Sequence, residues 1–242
     1  MAFSVESTPD LAGKIALVTG GNGGLGYETV KAIASRGAHT IIAARNVQKG
    51  EQAREALLRS LPNASIEVLQ LDLASLASIA AMAANFEARH GRLDILVNNA
   101  GLMAMPEGRT EDGFETQFGV NHLGHWALTG RLLPALQRAA QARIVTVTSS
   151  AHHMSFGINF DDPHLRKRYS AWNAYSQSKL ANYYFALGLH RKLQAANSPI
   201  SSLLAHPGFS QTNLQVETVK QGGGGRVGDL SLYLVNTIGM TA

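Results

Sequence analysis

Six short apolar runs alternate with longer helical stretches along this 242-residue chain, and that alternation constrains the fold more than any other feature. The runs lie at 14–19, 40–44, 65–71, 93–98, 143–148 and 200–205. Between them, 24–36, 46–59, 75–90, 114–140 and 171–194 read as helices. Asn46 and Ser75 stand where a side-chain oxygen can cap the second and third helices, and Pro62 and Gly91 where those helices stop. Short strands that are apolar almost throughout are buried on both faces, which calls for a parallel sheet covered by helices on each side. Right-handed crossovers then leave an α/β, doubly wound arrangement. No internal repeat or linker interrupts it, so 1–242 reads as a single domain. Residues 1–12 form an N-terminal arm, and 209–242, with the glycine run 222–225, a flexible substrate-side region. The irregular stretch 151–170 lies after a strand, where such sheets place their substrate loops.

Composition excludes several function classes. With 45% hydrophobic and 16% charged residues the chain is no disordered tail. It has no apolar run long enough for an integral membrane segment and no signal-peptide pattern, so the expected compartment is cytoplasmic. The absence of cysteine removes disulfides and thiolate metal sites. The net charge of +4 is scattered, which reads as solvated surface and not as a nucleic-acid patch.

The chemistry starts at Thr19-Gly20-Gly21-Asn22-Gly23-Gly24-Leu25-Gly26, between the first strand and the first helix. A glycine turn opening a helix is an anion site, because free backbone N–H groups and the positive helix end point at one place. Glycine keeps Cβ atoms from holding a pyrophosphate off the backbone, although a tight βα turn favours the same residue. Ala44 stands where an acidic residue, about 20 positions past the glycines, would bind the ribose 2′-hydroxyl of NAD. Arg45 follows it and can fork onto a 2′-phosphate, which favours NADP(H) over NAD; it also reads as an ordinary exposed arginine. Asp72, followed by Leu73, could accept from an adenine amine or cap the next helix. Asn98-Asn99-Ala100-Gly101 ends the fourth strand with small residues that let a cofactor pass close to backbone, as a plain turn also would.

Tyr175 and Lys179 are four apart and share a helix face. A phenol of pKa about 10 is a poor base. A neighbouring ammonium favours the phenolate, so that the pair could exchange a proton with an alcohol or carbonyl near neutral pH. Ser149 and Ser150 end the fifth strand, where a hydroxyl could meet a carbonyl. Met103, Met105, Phe156, Trp172 and Phe209 are candidates to line an apolar pocket, or simply core. His122 with His125, and His152 with His153, lack a carboxylate or thiolate at ligand spacing, so no metal is expected there. A Ser149–His152 hydrolase is disfavoured by the lack of a G-x-S-x-G elbow.

Taken together, the 19–26 turn, Asn98–Gly101, Asn121, Ser149, Tyr175-x-x-x-Lys179 and Pro207-Gly208 resemble the classical short-chain dehydrogenase/reductase family, in order over roughly residues 10–212. Gly119-Val120-Asn121-His122-Leu123-Gly124-His125, Ser149-Ser150-Ala151-His152-His153 and 175–182 look most like its retinol-dehydrogenase-like branch, which includes the WW-domain oxidoreductases. The resemblance implies a Rossmann fold and an NADP-dependent oxidoreductase that interconverts an alcohol with an aldehyde or ketone, on a hydrophobic small-molecule substrate. It implies that Tyr175 moves the proton, Lys179 lowers the Tyr175 pKa and binds the nicotinamide ribose, and Ser149, selected over Ser150 by gapless alignment, holds the substrate oxygen. Asn121 would hold a water in the proton relay. Thr19, Gly20, Asn22, Gly24, Leu25, Gly26, Arg45, Asp72, Leu73, Asn99, Ala100, Gly101, Pro207, Gly208 and Thr212 would line the cofactor. A homo-oligomer, dimer or tetramer, would pair through 114–140 and 171–194. The second reading is an NADP(H)-binding sensor or scaffold without turnover. The family adds a seventh strand and a last helix. Here 230–238 can form a helix but no seventh strand follows before Ala242, so the sixth strand is expected to be an exposed edge.

Overall fold

The computed structural model describes residues 4–208, 210–211 and 240–241. Its main sheet has strands β1 (Ile15–Thr19), β2 (His39–Ala44), β3 (Ile66–Gln70), β4 (Ile95–Asn98), β5 (Arg143–Val147) and β6 (Ser201–Ala205). They stand in the order β3-β2-β1-β4-β5-β6, every neighbouring pair parallel. The helices are α1 (Gly24–Ser35), α2 (Val47–Ser60), α3 (Leu76–His90), α4 (Thr116–Phe118), α5 (Gly124–Gln137) and α6 (Ala171–Ala195). The doubly wound expectation holds, and the sheet reverses its strand order between β1 and β4, where such sheets bind ligands.

Successive strand residues point to opposite faces, so each strand feeds two cores. Leu17 and Ile41 pack with Leu96, Phe86, Leu132 and Leu136 under α3 and α5. Val18 and Ile42 pack with Val30 and Leu57 under α1 and α2. The caps act as expected. Asn46 Oδ1 accepts from Lys49 N at 2.9 Å, Ser75 Oγ from Ser78 N at 3.3 Å, and Gly91 ends α3 in the left-handed region at φ 64°.

Two stretches differ from the sequence reading. The single helix expected over 114–140 is α4, then a π-turn at Gly119–Leu123, then α5. Such a wide turn re-aims the side chains it carries, here Asn121. A separate pair of short parallel strands, β7 (Ser210–Gln211) and β8 (Met240–Thr241), follows β6. Among the described residues no seventh strand joins the main sheet. β6 is its edge, with Leu203 and Leu204 44% and 39% exposed. The helix expected over 230–238 and the glycine run 222–225 lie outside the described residues. No described helix is long and apolar enough to cross a membrane.

The fully buried Phe86 ring fills the space between α3 and the sheet. Truncating it (Phe86→Ala) is expected to destabilise the protein by about 3–5 kcal/mol, read as a lower urea midpoint at unchanged slope.

Candidate active site

The segments that follow the strands gather at the carboxyl edge of the sheet. Gly20 (φ 66°) and Gly24 (φ 51°) take left-handed conformations that side chains rarely adopt. A Cβ on Gly26 would lie 2.3 Å from the Gly20 carbonyl oxygen and 2.6 Å from Asn99 Nδ2. Gly23 caps α1 without any side-chain hydrogen bond, and a Cβ built on it would meet nothing within 4 Å. The first amides of α1 therefore face an open cradle, which fits a phosphate group. Asn22 and Leu25 are half-buried in the same turn.

Thr19 fastens this turn to the end of β4. Its Oγ1 accepts from Asn99 N at 2.9 Å and Ala100 N at 3.0 Å, while Asn99 Nδ2 donates to the Thr19 carbonyl at 2.8 Å. The same hydroxyl lies 2.9 Å from His125 Nε2, and His125 Nδ1 lies 2.9 Å from the Asn121 carbonyl. A carbonyl only accepts, so Nδ1 carries the proton. The Nε2 of the neutral ring then accepts from the Thr19 hydroxyl. Burial holds the His125 pKa down to about 4, with Lys179 and His122 adding in the same direction against the Asn121 carbonyl. By sequence alone His125 stands out only as a disfavoured metal-ligand candidate beside His122, and this role is not visible. Its one sequence signal is a histidine at i+4 from Asn121 on an otherwise buried helix face.

Asn121 is fully buried, and its carboxamide is engaged throughout. Oδ1 accepts from Leu102 N at 2.7 Å, and Nδ2 donates to the Leu102 carbonyl and to Ser178 Oγ, both at 2.9 Å. The second lone pair of Oδ1 and that of the Asn121 backbone carbonyl are the two acceptors left for the expected water. A Cβ on Gly101 would sit 3.2 Å from Asn121 Oδ1 and 3.5 Å from Lys179 Nζ.

On α6, Tyr175 and Lys179 share a helix face as expected, and the structure buries that face, with Lys179 Nζ 5.9 Å from the centre of the tyrosine ring. Nζ donates to the Val147 carbonyl at 3.3 Å. Tyr175 packs on Met103, Ala104 and Ala151, and the Ser149 hydroxyl lies near enough to its phenol to pull the pKa down. The geometry thus brings Ser149 to the tyrosine. The expected direction of the Tyr175 pKa is reversed: burial pushes it up, against the pull of Ser149. Burial also lowers Lys179 to about 8.

The remaining expected residues divide. Arg45 is exposed just past β2 and joins no ion pair among the described residues. Asp72 Oδ1 accepts from Ala74 N at 2.9 Å, so this carboxylate caps its own turn; the neighbouring Leu73 is buried. Gly208 follows β6 with φ 68°, and its N–H donates to His206 Nδ1 at 2.7 Å, just after Pro207. Thr212 and Phe209 lie outside the described residues. Met103 is buried against Tyr175, and Trp172 meets it edge-on at 6.1 Å. The Met105 carbonyl accepts from the Tyr169 hydroxyl at 2.7 Å. Phe156 is fully solvent-exposed and does not belong with them.

The family model described as short chain dehydrogenase matches residues 14–222. Human retinol dehydrogenase 12 is 45% identical over 204 residues, which are 84% of this chain and 64% of that protein. The crystal structure of an uncharacterized protein from Mycobacterium Paratuberculosis has 43% identity and a TM-score of 0.78, covering 96% of this chain and 81% of that one. The active-site complex of Pseudomonas aeruginosa RhlG with NADP is 26% identical at a TM-score of 0.69, covering 93% and 90%. The chain belongs to the short-chain dehydrogenase family of oxidoreductases, in its retinol-dehydrogenase-like branch. It spans 64% of the length of the first two curated relatives it matches.

His125 supplies a pH test. Its folded pKa of about 4 lies below the unfolded value of about 6.5. The unfolded chain therefore takes up this proton first, and stability falls as pH drops from 6.5 towards 4, by up to ~3 kcal/mol from this group. His125→Gln removes that component. At pH 7 the variant is expected to be less stable than the parent by about 1–3 kcal/mol, because buried partners lose their hydrogen bonds. Denaturant unfolding at pH 4.5 should show the gap narrowed.

Proposed function

We propose that this chain uses NADP(H) to interconvert an alcohol with an aldehyde or ketone on a hydrophobic small molecule. The observation that carries the reading is the buried Tyr175–Lys179 face of α6, with the Ser149 hydroxyl near enough to the phenol to pull its pKa down and the open glycine cradle at the same sheet edge. Thr19, Gly20, Asn22, Gly24, Leu25 and Gly26 hold the pyrophosphate. Arg45 takes the 2′-phosphate, Asp72 and Leu73 border the adenine, and Asn99, Ala100 and Gly101 pass under the nucleoside. Pro207 and Gly208 border the nicotinamide; that RhlG, 26% identical, was solved with NADP favours this cofactor. Bound there, the nicotinamide supplies hydride chemistry.

The chain's own residues handle position and the proton. Ser149 donates a hydrogen bond to the substrate oxygen. Tyr175 exchanges one proton with that oxygen: its O–H bond breaks as the carbonyl becomes an alcohol and forms again in the reverse direction. The raised pKa keeps the phenol protonated in the free protein, the form needed to reduce a carbonyl. Lys179, still mostly charged at pH 7, holds the ribose hydroxyls and steadies the phenolate left behind. Asn121 positions the Leu102 backbone and Ser178 around these groups. Met103 and Trp172 give the substrate side an apolar wall. Trp126 on α5 and Tyr184 on α6, 61% and 54% exposed, suit the pairing of two copies through these helices.

Tyr175→Phe is expected to lower turnover of a carbonyl substrate by at least about 100-fold while the NADPH dissociation constant stays within a few-fold. An active variant would refute the assigned proton donor. NADPH binding to the parent without oxidation, across a carbonyl panel, would make the protein a sensor. Arg45→Ala is expected to weaken NADPH by about 10–100-fold and leave NADH nearly unchanged, read by fluorescence titration, since a charge-assisted contact is worth about 1.5–3 kcal/mol.

A further inference from the structure

At the opposite end of the sheet, His39 opens β2, Glu67 lies in the edge strand β3, and His90 closes α3. Their donor atoms, one from each residue, all lie within 4.8 Å of one another. His39 Nε2 faces Glu67 Oε1 at 3.5 Å, and His90 Nε2 lies 2.5 Å from the same oxygen. The imidazole rings are 5.3 Å apart. His39 Nε2 is buried and has no hydrogen-bond partner. Its other nitrogen is fixed, 2.6 Å from Ser65 Oγ. Donating Nδ1–H to Ser65 leaves the Nε2 lone pair directed at a carboxylate, an arrangement that a cation between them would relieve.

We propose that His39, Glu67 and His90 bind one divalent transition-metal ion of the zinc type, with water completing the coordination. Two imidazoles and one carboxylate suit zinc, cobalt, nickel or copper. Magnesium and calcium prefer oxygen throughout. A tetrahedral ion with bonds of about 2.0–2.1 Å sets its ligand atoms about 3.3 Å apart. The His39–Glu67 separation already meets that, and the His90–Glu67 contact opens when the ion replaces it. Supporting contacts are built in. Arg89 Nη2 holds Glu67 Oε2 at 2.5 Å, leaving Oε1 for the ion, and Ser65 orients His39. The three side chains are between 13% and 29% exposed, so the ion can enter from solvent. The ion ties the edge strand and the neighbouring β2 to the end of α3. It binds only the assembled fold, so it stabilises the protein without touching the hydride site.

The test is calorimetric titration of untagged, chelator-treated protein with zinc sulfate, alongside thermal unfolding and visible spectra with cobalt(II). One zinc per chain, a Tm that rises with zinc concentration, and cobalt bands of tetrahedral intensity are expected. His39→Ala and Glu67→Gln should each weaken zinc by at least tenfold, with far-UV circular dichroism confirming that the zinc-free variants fold. Should His39→Ala fail to fold, zinc-dependent shifts of the His39 and His90 ring signals in the parent decide the matter. Absence of saturable binding overturns the proposal. So does unchanged affinity in the variants, which would place the ion elsewhere, such as at His152 and His153.

Discussion

The buried hydroxyl of Thr19 is the joint on which the sheet edge and the site both depend. It accepts from two backbone amides after β4 and lies within hydrogen-bond distance of His125. Through these contacts the end of β1, the Asn99–Gly101 segment and the π-turn bearing Asn121 become one rigid unit. A buried polar group without partners is costly, so a fully satisfied node defines its geometry narrowly. Gly26 closes the node from the other side, because no side chain fits between the Gly20 carbonyl and Asn99.

Burial governs the charges of the site. It depresses Lys179 and His125 and raises Tyr175. Each shift disfavours the charged form, as desolvation requires. The free site therefore holds a neutral phenol and a neutral imidazole beside an ammonium that is still mostly charged. An anionic cofactor entering such a pocket meets the positive helix end of α1 and little competing negative charge.

The opposite end of the sheet uses related chemistry for another purpose. There, two histidines meet a carboxylate, and the buried His39 Nε2 makes no hydrogen bond. The separation of the two ends by the length of the strands lets one fold carry a candidate reaction site and a candidate stabilising tie independently.

The sequence by itself determined the parallel sheet and the helices on both faces, because apolar runs too short for anything but strands must be buried twice over. It also determined the glycine turn and the Tyr175–Lys179 face, since both follow from local backbone geometry. The caps at Asn46 and Ser75 were legible for the same reason. Tertiary structure decided what depended on contacts far apart in the chain. The π-turn that breaks 114–140, the engagement of the Asn121 carboxamide by Leu102 and Ser178, and the Thr19–His125 link join residues from different elements. The direction of the Tyr175 shift was also decided there. The i, i+4 spacing supplied a neighbouring ammonium, but packing against Met103, Ala104 and Ala151 makes desolvation the largest influence on Tyr175, with Ser149 pulling against it. Periodicity reports which face a residue takes; how dry that face becomes depends on everything that folds over it.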